Sequence, residues 1–500
     1  MEGPSRLPPP TVVRLVTNYA GFSPNLYRNY SGRLTSNRVE IMGTTIFKAP
    51  ALSSSIEMYG WVNSTLLGAS RKAMGLYYKD NSGPFPQPHP KSNIKPHNRV
   101  DYITHHGIFR GLTGPGLQPT TIRYTQDLCR CMQAMDLKEW VQMPDLMDFF
   151  REVVGAGTLK AVVGPTMFRL NPTFARDMFR FDKIFPSFAP GFPRLMMSGS
   201  YAFRDKLAND FKKWYQYANN HFDESLVDED GEWDPIWGSS MMRQRQSAFS
   251  QADHHDDETI ARIDLGLAWA TIGNIVPLSM FAVFHVFKDK ELQRRVRREI
   301  QDNLGDQKIE QVDVAKFVKA VPLLSSIYAE TLRLYVKVYS LYRSPHDDVQ
   351  LGRWVLPKGA VAVLNSGPSH MDPTFWNTMD GKHPVDSFWA DRFLVDPSDP
   401  QSGPVNPECR ETTAEKRTAT KPYFSTEGCE GAWIPYGGGY SMCPGRFIAK
   451  SVLVFTTALL VSKYDIEIDC DKPRFTNKRY GMGVEDLKYP IPFRIKRRVD

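Results

Sequence analysis

The stretch Tyr436-Gly437-Gly438-Gly439-Tyr440-Ser441-Met442-Cys443-Pro444-Gly445-Arg446 puts a single cysteine on a glycine-rich turn directly ahead of a long apolar helical pattern. Consecutive glycines open positive-φ backbone and remove the side chains that would keep a flat partner away from the turn. Amides in such a turn can donate to the sulfur and tune it. Gly445 lets the following helix pack closely, and the N-terminus of that helix favours the anionic form of the nearby thiol. A fold containing this stretch must therefore bring a loop, one thiol and a buried helix together at one place. Read alone, the stretch also accommodates a cysteine that is only a small buried apolar side chain.

The 500 residues contain no linker-like charge run, repeat or low-complexity block, and 41% hydrophobic with 12% aromatic content suffices for a sizeable core. Residues 1–27 read as a terminal segment with a proline-rich hinge, Leu7-Pro8-Pro9-Pro10, and no transmembrane anchor; residues 28–500 read as a single, mainly helical domain. No run of about eighteen apolar residues occurs. Residues 452–461, interrupted by Thr456 and Thr457, read as a buried helix. Six cysteines are too few for a disulfide framework at this length, and Cys129 and Cys131 point in different directions on a helical pattern, which disfavours a metal clip. The net charge of +7 is spread along the chain, so nothing argues for nucleic acid.

Residues 39–47 read as strand, 53–67 as helix, and Pro84, Pro86, Pro88 and Pro90 as a loop. A nearly unbroken helical pattern over 257–289, about 45 Å long, suits a central helix crossing the domain. Strand signals return over 349–364 around a Pro357-Lys358-Gly359 turn, and 396–431 is polar and turn-rich. Leu323, Leu324, Ile327, Tyr328 and Leu332 mark a helix on which Glu330 and Arg333 share a face and can pair. Phe388-Trp389-Ala390-Asp391-Arg392-Phe393 then offers a second arginine after a stretch of turns.

Together these segments resemble the cytochrome P-450 family of haem-thiolate oxygenases. The family's E-x-x-R matches Glu330 and Arg333, its P-x-R-F matches 390–393, and its F-x-x-G-x-x-x-C-x-G matches 436–445, in the family's order. The resemblance covers nearly the whole chain and is weakest in the first hundred residues. It implies a mainly α fold with a small β portion, the cytochrome P-450 fold. It implies haem b with Cys443 as the axial thiolate on iron, which favours O–O cleavage and oxygen insertion into a C–H bond. Tyr436, Gly439 and Gly445 would then cradle the ring, Arg343 would hold a propionate, and Glu330, Arg333 and Arg392 would form a buried ion network holding the cysteine loop. Implied partners are a lipophilic small molecule and a flavoprotein reductase that delivers electrons from NADPH. That reductase would dock near Arg294, Arg295, Arg297 and Arg298, or near Lys416, Arg417, Lys421, Arg446 and Lys450. Members of the family sit on the cytoplasmic face of the endoplasmic reticulum; without an anchor, a cytosolic or peripheral place stays open. The aromatic stretch 181–192 resembles the family's substrate-access region and reads either as dipping into lipid or as packed into the protein.

Some positions depart from the family pattern. The acid and threonine that anchor proton-delivering waters fall on Gly273 and Asn274. Asn274 can still bond a peroxide or a water, or can instead satisfy backbone freed by Pro277, which should bend the helix. This Gly-Asn-x-x-Pro pattern resembles the branch holding prostacyclin synthases and the bile-acid sterol hydroxylases. Ser441 stands where a propionate-binding arginine or histidine is usual, and His106 with Arg110 matches the family's W-x-x-x-R helix poorly. The resulting expectation is a monooxygenase acting on a terpenoid, steroid or polyketide in fungal secondary metabolism. The alternative is a reductase-independent haem-thiolate isomerase or lyase acting on a peroxide.

Overall fold

The computed structural model describes residues 5–6, 53–54, 56–351, 354–410 and 419–498. The hinge at Leu7 to Pro10 and the strand expected over 39–47 lie outside the described residues. Helices dominate, and buried apolar side chains from Ile56 to Ile495 form one contiguous core. The helices that position the site are α1 (Val100–Leu112), α2 (Phe174–Ile184), α3 (Ser198–His221), α4 (Asp257–Gly273), α5 (Ile275–Lys288), α6 (Lys290–Leu304), α7 (Pro322–Tyr335) and α8 (Arg446–Lys463).

Local chemistry sets their ends. Asp256 caps α4 by accepting from the Thr259 amide, with Asp257 and Glu258 in the first turn facing the positive end of the helix. Asp289 caps α6 in the same way, and Pro322 opens α7 at a position where its missing N–H costs nothing. The freed amides of α7 are taken up from outside: the Glu299 carboxylate of α6 accepts from Leu323 and Leu324 at 2.6 and 3.0 Å. The residues expected as a buried helix, 452–461, are the fully buried part of α8, which packs against α5 and α7.

The small β portion is organised by one strand, β1 (Val336–Arg343), that leaves α7 directly. It pairs antiparallel with β2 (Val361–Asn365) along its second half and with β3 (Met482–Val484) at its start. Its far end reaches the cysteine loop, so one strand about 25 Å long ties the C-terminal segment to that loop. The expected Pro357-Lys358-Gly359 turn is present, with Gly359 at φ +75°.

One sequence expectation is corrected here, and of the two readings of 181–192 the packed one holds for its first three phenylalanines. The helix over 257–289 is two helices, parted at Asn274 (φ −114°, ψ −37°). Pro277 has no N–H to give the Gly273 carbonyl, and that carbonyl accepts instead from Arg479 Nη2 at 3.1 Å. Within the aromatic stretch, Phe181, Phe185 and Phe188 are buried, Phe185 stacking on Trp269 with ring centres 3.9 Å apart. The apolar side chains left outside are Phe192 at its end and Leu195 and Met196 beyond it, 44%, 92% and 69% exposed. Among the described residues, the segment long and apolar enough to cross a membrane is the α4–α5 pair, and it is mostly buried in the core.

Candidate active site

The cysteine loop is held from α7 outward. Trp433 donates its indole N–H to the Ala329 carbonyl (3.1 Å), and the Tyr436 and Tyr328 hydroxyls bond each other at 2.8 Å. From β1, the Tyr342 hydroxyl donates to Gly438 O (3.0 Å) and accepts from Gly438 N (2.9 Å), clamping the glycine run with a single atom. Gly437 and Gly439 take φ of +69° and +64°. A side chain on Gly437 would meet the Ser340 and Tyr342 hydroxyls at 3.1 and 3.2 Å, so the clamp depends on glycine there. The Cys443 amide donates to Tyr436 O at 3.0 Å and closes the turn.

Glu330, Arg333 and Arg392 are brought together with no exposed side-chain surface. Arg333 binds the carboxylate through Nε (2.7 Å) and Nη2 (2.8 Å), Arg392 Nε reaches both oxygens at 3.0 and 3.1 Å, and the Trp389 amide donates at 3.2 Å. Burial alone would raise the Glu330 carboxyl, yet the two guanidinium groups hold it below the ordinary glutamate range. Arg333 Nη1 also donates to His370 O at 2.7 Å. His370 passes the connection on: its Nδ1 bonds Val336 O (3.2 Å) and its Nε2 accepts the Ile434 amide (3.1 Å). Burial, with Lys337 and Arg333 nearby, keeps this imidazole neutral, so Nδ1 carries the proton. An unbroken set of bonds therefore runs from Glu330 to the residues preceding Cys443. Sequence reasoning missed His370, Tyr342, Tyr328 and Trp433. None of them belongs to a motif, and only the alternation of β1 placed Tyr342 on the loop-facing side.

Cys443 itself is exposed, while burial pushes its thiol pKa up. The nearby Gly445 amide and the Arg446 charge pull the pKa back down. Leu112, at the end of α1, comes within 3.9 Å of where a Gly445 side chain would begin. Among the described residues no cluster of three His, Cys, Asp or Glu side chains could hold a metal ion. The donor set is thus a lone thiol on an open-faced glycine turn, which fits the axial ligand of a macrocycle that brings its own metal.

Other expected positions are committed elsewhere. Arg343 pairs with Glu57 and donates to Gly359 O at 3.1 Å, so a propionate would have to share it with that carboxylate. Arg110 bonds Glu232 at 3.2 Å and His106 stacks on Tyr102. The side chain of Ser441, and Lys416 and Arg417, lie outside the described residues. The basic helix face is largely internal wiring: Arg294 pairs with Glu291, Arg295 with Asp391, and Arg297 binds Val461 O and Asp465, both at 3.1 Å. Lys450 lies over the Phe424 ring at 4.6 Å, and burial lowers its pKa to about 8.

At the helix break, Asn274 Oδ1 accepts from the Val484 amide at 3.0 Å. A side chain on Gly483 would start 2.0 Å from that oxygen, so Gly483 is what lets Asn274 dock on β3.

A mainly helical fold with one thiol on a glycine turn, held by a buried Glu-Arg-Arg network, defines a haem-thiolate protein. The chain belongs to the cytochrome P450 family, whose model matches residues 166–493. It is similar to the cytochrome P450 monooxygenase efuG of Hormonema carpetanum, at 31% identity over 99% of this chain and 90% of that protein. It is also similar to the cytochrome P450 monooxygenase fsoE of Humicola fuscoatra, at 34% identity over 86% of this chain and 76% of that one. A more distant relative is the human 7-alpha-hydroxycholest-4-en-3-one 12-alpha-hydroxylase, 29% identical over 46% of this chain and 44% of its own length. Among solved structures, a retinoic acid bound cyanobacterial CYP120A1 shares the fold with a TM-score of 0.56 at 15% identity, over 91% of this chain and 86% of that one. The protein is a cytochrome P450 monooxygenase.

Proposed function

We propose that this monooxygenase oxidises a lipophilic small molecule of terpenoid, steroid or polyketide type in fungal secondary metabolism, using electrons from NADPH delivered by a flavoprotein reductase. The observation that carries the reading is Cys443 on a glycine turn that Tyr342, Tyr436 and Trp433 hold against β1 and α7. Haem b bound there would activate dioxygen and insert one oxygen atom into a C–H bond. This chain's own residues position and exclude. Cys443 ligates; Tyr436, Gly439 and Gly445 line the proximal face; Glu330, Arg333 and Arg392 keep the loop in place; and Arg343 serves a propionate by sharing its Glu57 pairing. Gly273 and Asn274 shape the oxygen side by breaking the central helix.

The steroid option draws support from the sterol hydroxylase among the relatives. Exposed Phe192, Leu195 and Met196 support a peripheral contact with lipid, and hence a place on the cytoplasmic face of the endoplasmic reticulum. The test supplies purified haem-loaded protein with a lipophilic extract from a strain lacking the gene. One arm contains reductase, NADPH and isotopically labelled dioxygen; the other contains a lipid hydroperoxide under argon. The expected result is label in a product formed only in the first arm. Turnover in the second arm alone would replace this reading by the peroxide rearrangement that Gly273 and Asn274 bring to mind.

A further inference from the structure

The space that a side chain at position 273 would occupy is already taken. A Cβ on Gly273 would lie 3.1 Å from Arg479 Nη2 and 3.5 Å from Asp182 Oδ1. Asp182 comes from α2 and Arg479 from the C-terminal segment, so a carboxylate and a guanidinium from two distant elements meet over the broken turn. Asp182 Oδ1 accepts from Trp269 Nε1 (2.8 Å) and Oδ2 from Arg479 Nη1 (3.0 Å). The same guanidinium reaches Asp486 at 3.4 Å and the Gly273 carbonyl at 3.1 Å.

Two observations set this group apart from a simple structural ion pair. Arg479 is 2% exposed, and its buried Nε has no hydrogen-bond partner in the protein. A small cleft, roomy enough for about one water, lies between Arg151, Phe179, Asp182, Ile272, Arg479 and Asp486. A water there is offered the unpartnered donor and both carboxylates, next to the turn whose own acid is missing.

We propose that Asp182 is the acid of this site, carried on α2 in place of a side chain at 273, and that it passes protons from water in the cleft to the broken turn at Gly273 and Asn274. Arg479 is the positioning residue that holds the carboxylate against the turn. A monooxygenase turnover takes dioxygen, two electrons and two protons, sending one oxygen atom to the substrate and the other to water. The electrons come from the external reductant. Each proton that Asp182 gives is replaced from the cleft, so its carboxyl is unchanged over a cycle. The charged and polar groups facing it are Arg479, Asp486, Trp269 and Arg151. The proposal rests on the monooxygenase assignment.

The test uses the full-length haem protein as wild type, Asp182→Asn, Asp182→Glu and Asp177→Asn. Each is reduced with dithionite, freed of excess, and mixed with air-saturated buffer made in water or in heavy water. The ferrous haem gives one electron to dioxygen, which departs with a proton as hydroperoxyl, and the return of the oxidised spectrum is timed. Asp182→Asn should slow that return by roughly a hundredfold and abolish its solvent isotope ratio, with Asp182→Glu restoring most of the rate. Asp177→Asn removes a carboxylate from the same helix, one bound to Lys206 at 2.7 Å and outside the cleft, and should stay within about twofold of wild type. Infrared difference spectra should show the Asp182 carboxylate band convert to a protonated carboxyl band as pH is lowered, a change absent from Asp182→Asn. Wild-type rate and isotope ratio in Asp182→Asn, or equal slowing in Asp177→Asn, would overturn the proposal. If Asp182→Asn takes up no haem, the pH dependence of Asp182→Glu decides: a midpoint displaced from that of wild type supports the route, and an identical midpoint rejects it. The carbon monoxide spectrum of wild type is recorded alongside, so that failure of the thiolate assignment is read separately from failure of the proton route.

Discussion

The cysteine side and the helix-break side are built in opposite ways. Around Cys443 the holding groups come from short, self-contained pieces: Glu330 and Arg333 one helical turn apart, Arg392 in a compact hexapeptide, and a glycine turn whose shape is its own. At the break, Gly273 and Asn274 are completed by Asp182 from nearly a hundred residues upstream and by Arg479, Gly483 and Val484 from two hundred downstream. The second arrangement ties the oxygen side to α2 and to the C-terminal segment. A protein built this way can keep its metal ligand fixed while its oxygen side is reshaped by the C-terminal segment.

The largest effect should separate the two regions. Arg333→Ala strands part of the Glu330 charge and breaks the bond to His370, a loss of about 3–5 kcal/mol for a buried pair, and should yield protein without haem. Arg479→Ala removes an equally buried guanidinium at the break and should destabilise the fold while leaving haem content near wild type. Pyridine haemochrome content per chain checks both, and haem loss in both variants would erase the distinction.

Next comes Gly483→Ala, which drives a methyl into Asn274 at φ +133° and should cost about 1–3 kcal/mol. In an Asn274→Ala background the clash disappears, so a double-mutant cycle by denaturant unfolding should show a clearly smaller penalty. Additive penalties would mean that Gly483 serves only its own backbone.

His285 on α5 joins the two regions through its 2.7 Å bond to Tyr335 at the end of α7 and its stacking on Phe388. Burial pulls its pKa down to about 3. The folded state therefore holds this ring neutral while the unfolded chain takes up a proton near pH 6.5, so its contribution is intact above that pH and is lost as pH falls toward 3. His285→Gln should reduce the stability lost between pH 7 and pH 5 by about 2 kcal/mol, measured from thermal midpoints across that range. The smallest effect belongs to Tyr436→Phe, which removes one hydroxyl bond to Tyr328 and should cost about 1 kcal/mol while leaving the haem spectrum in place.

The same contrast explains what the sequence disclosed. Cys443, Glu330, Arg333 and Arg392 were legible because glycine content, i to i+3 spacing and motif order are local properties, and the mainly helical class followed from periodicity. The long helix read as continuous because Asn274 is tolerated in a helical pattern, and the break depends on Arg479 claiming the carbonyl that Pro277 leaves unpaired. Arg343 matched its motif position, but its pairing with Glu57 is a tertiary fact with no trace in spacing. Asp182 sits at the start of an aromatic stretch conspicuous for its phenylalanines, and nothing local marks its carboxylate as the neighbour of position 273.

Everything said of the cysteine side rests on sulfur as the axial donor to haem iron. The direct measurement is the spectrum of the dithionite-reduced protein under carbon monoxide, beside a Cys443→Ser variant. The expected outcome is a strongly red-shifted Soret band in the wild-type protein that is missing from the variant. A Soret band at the position typical of nitrogen-ligated haem in both proteins would contradict the account.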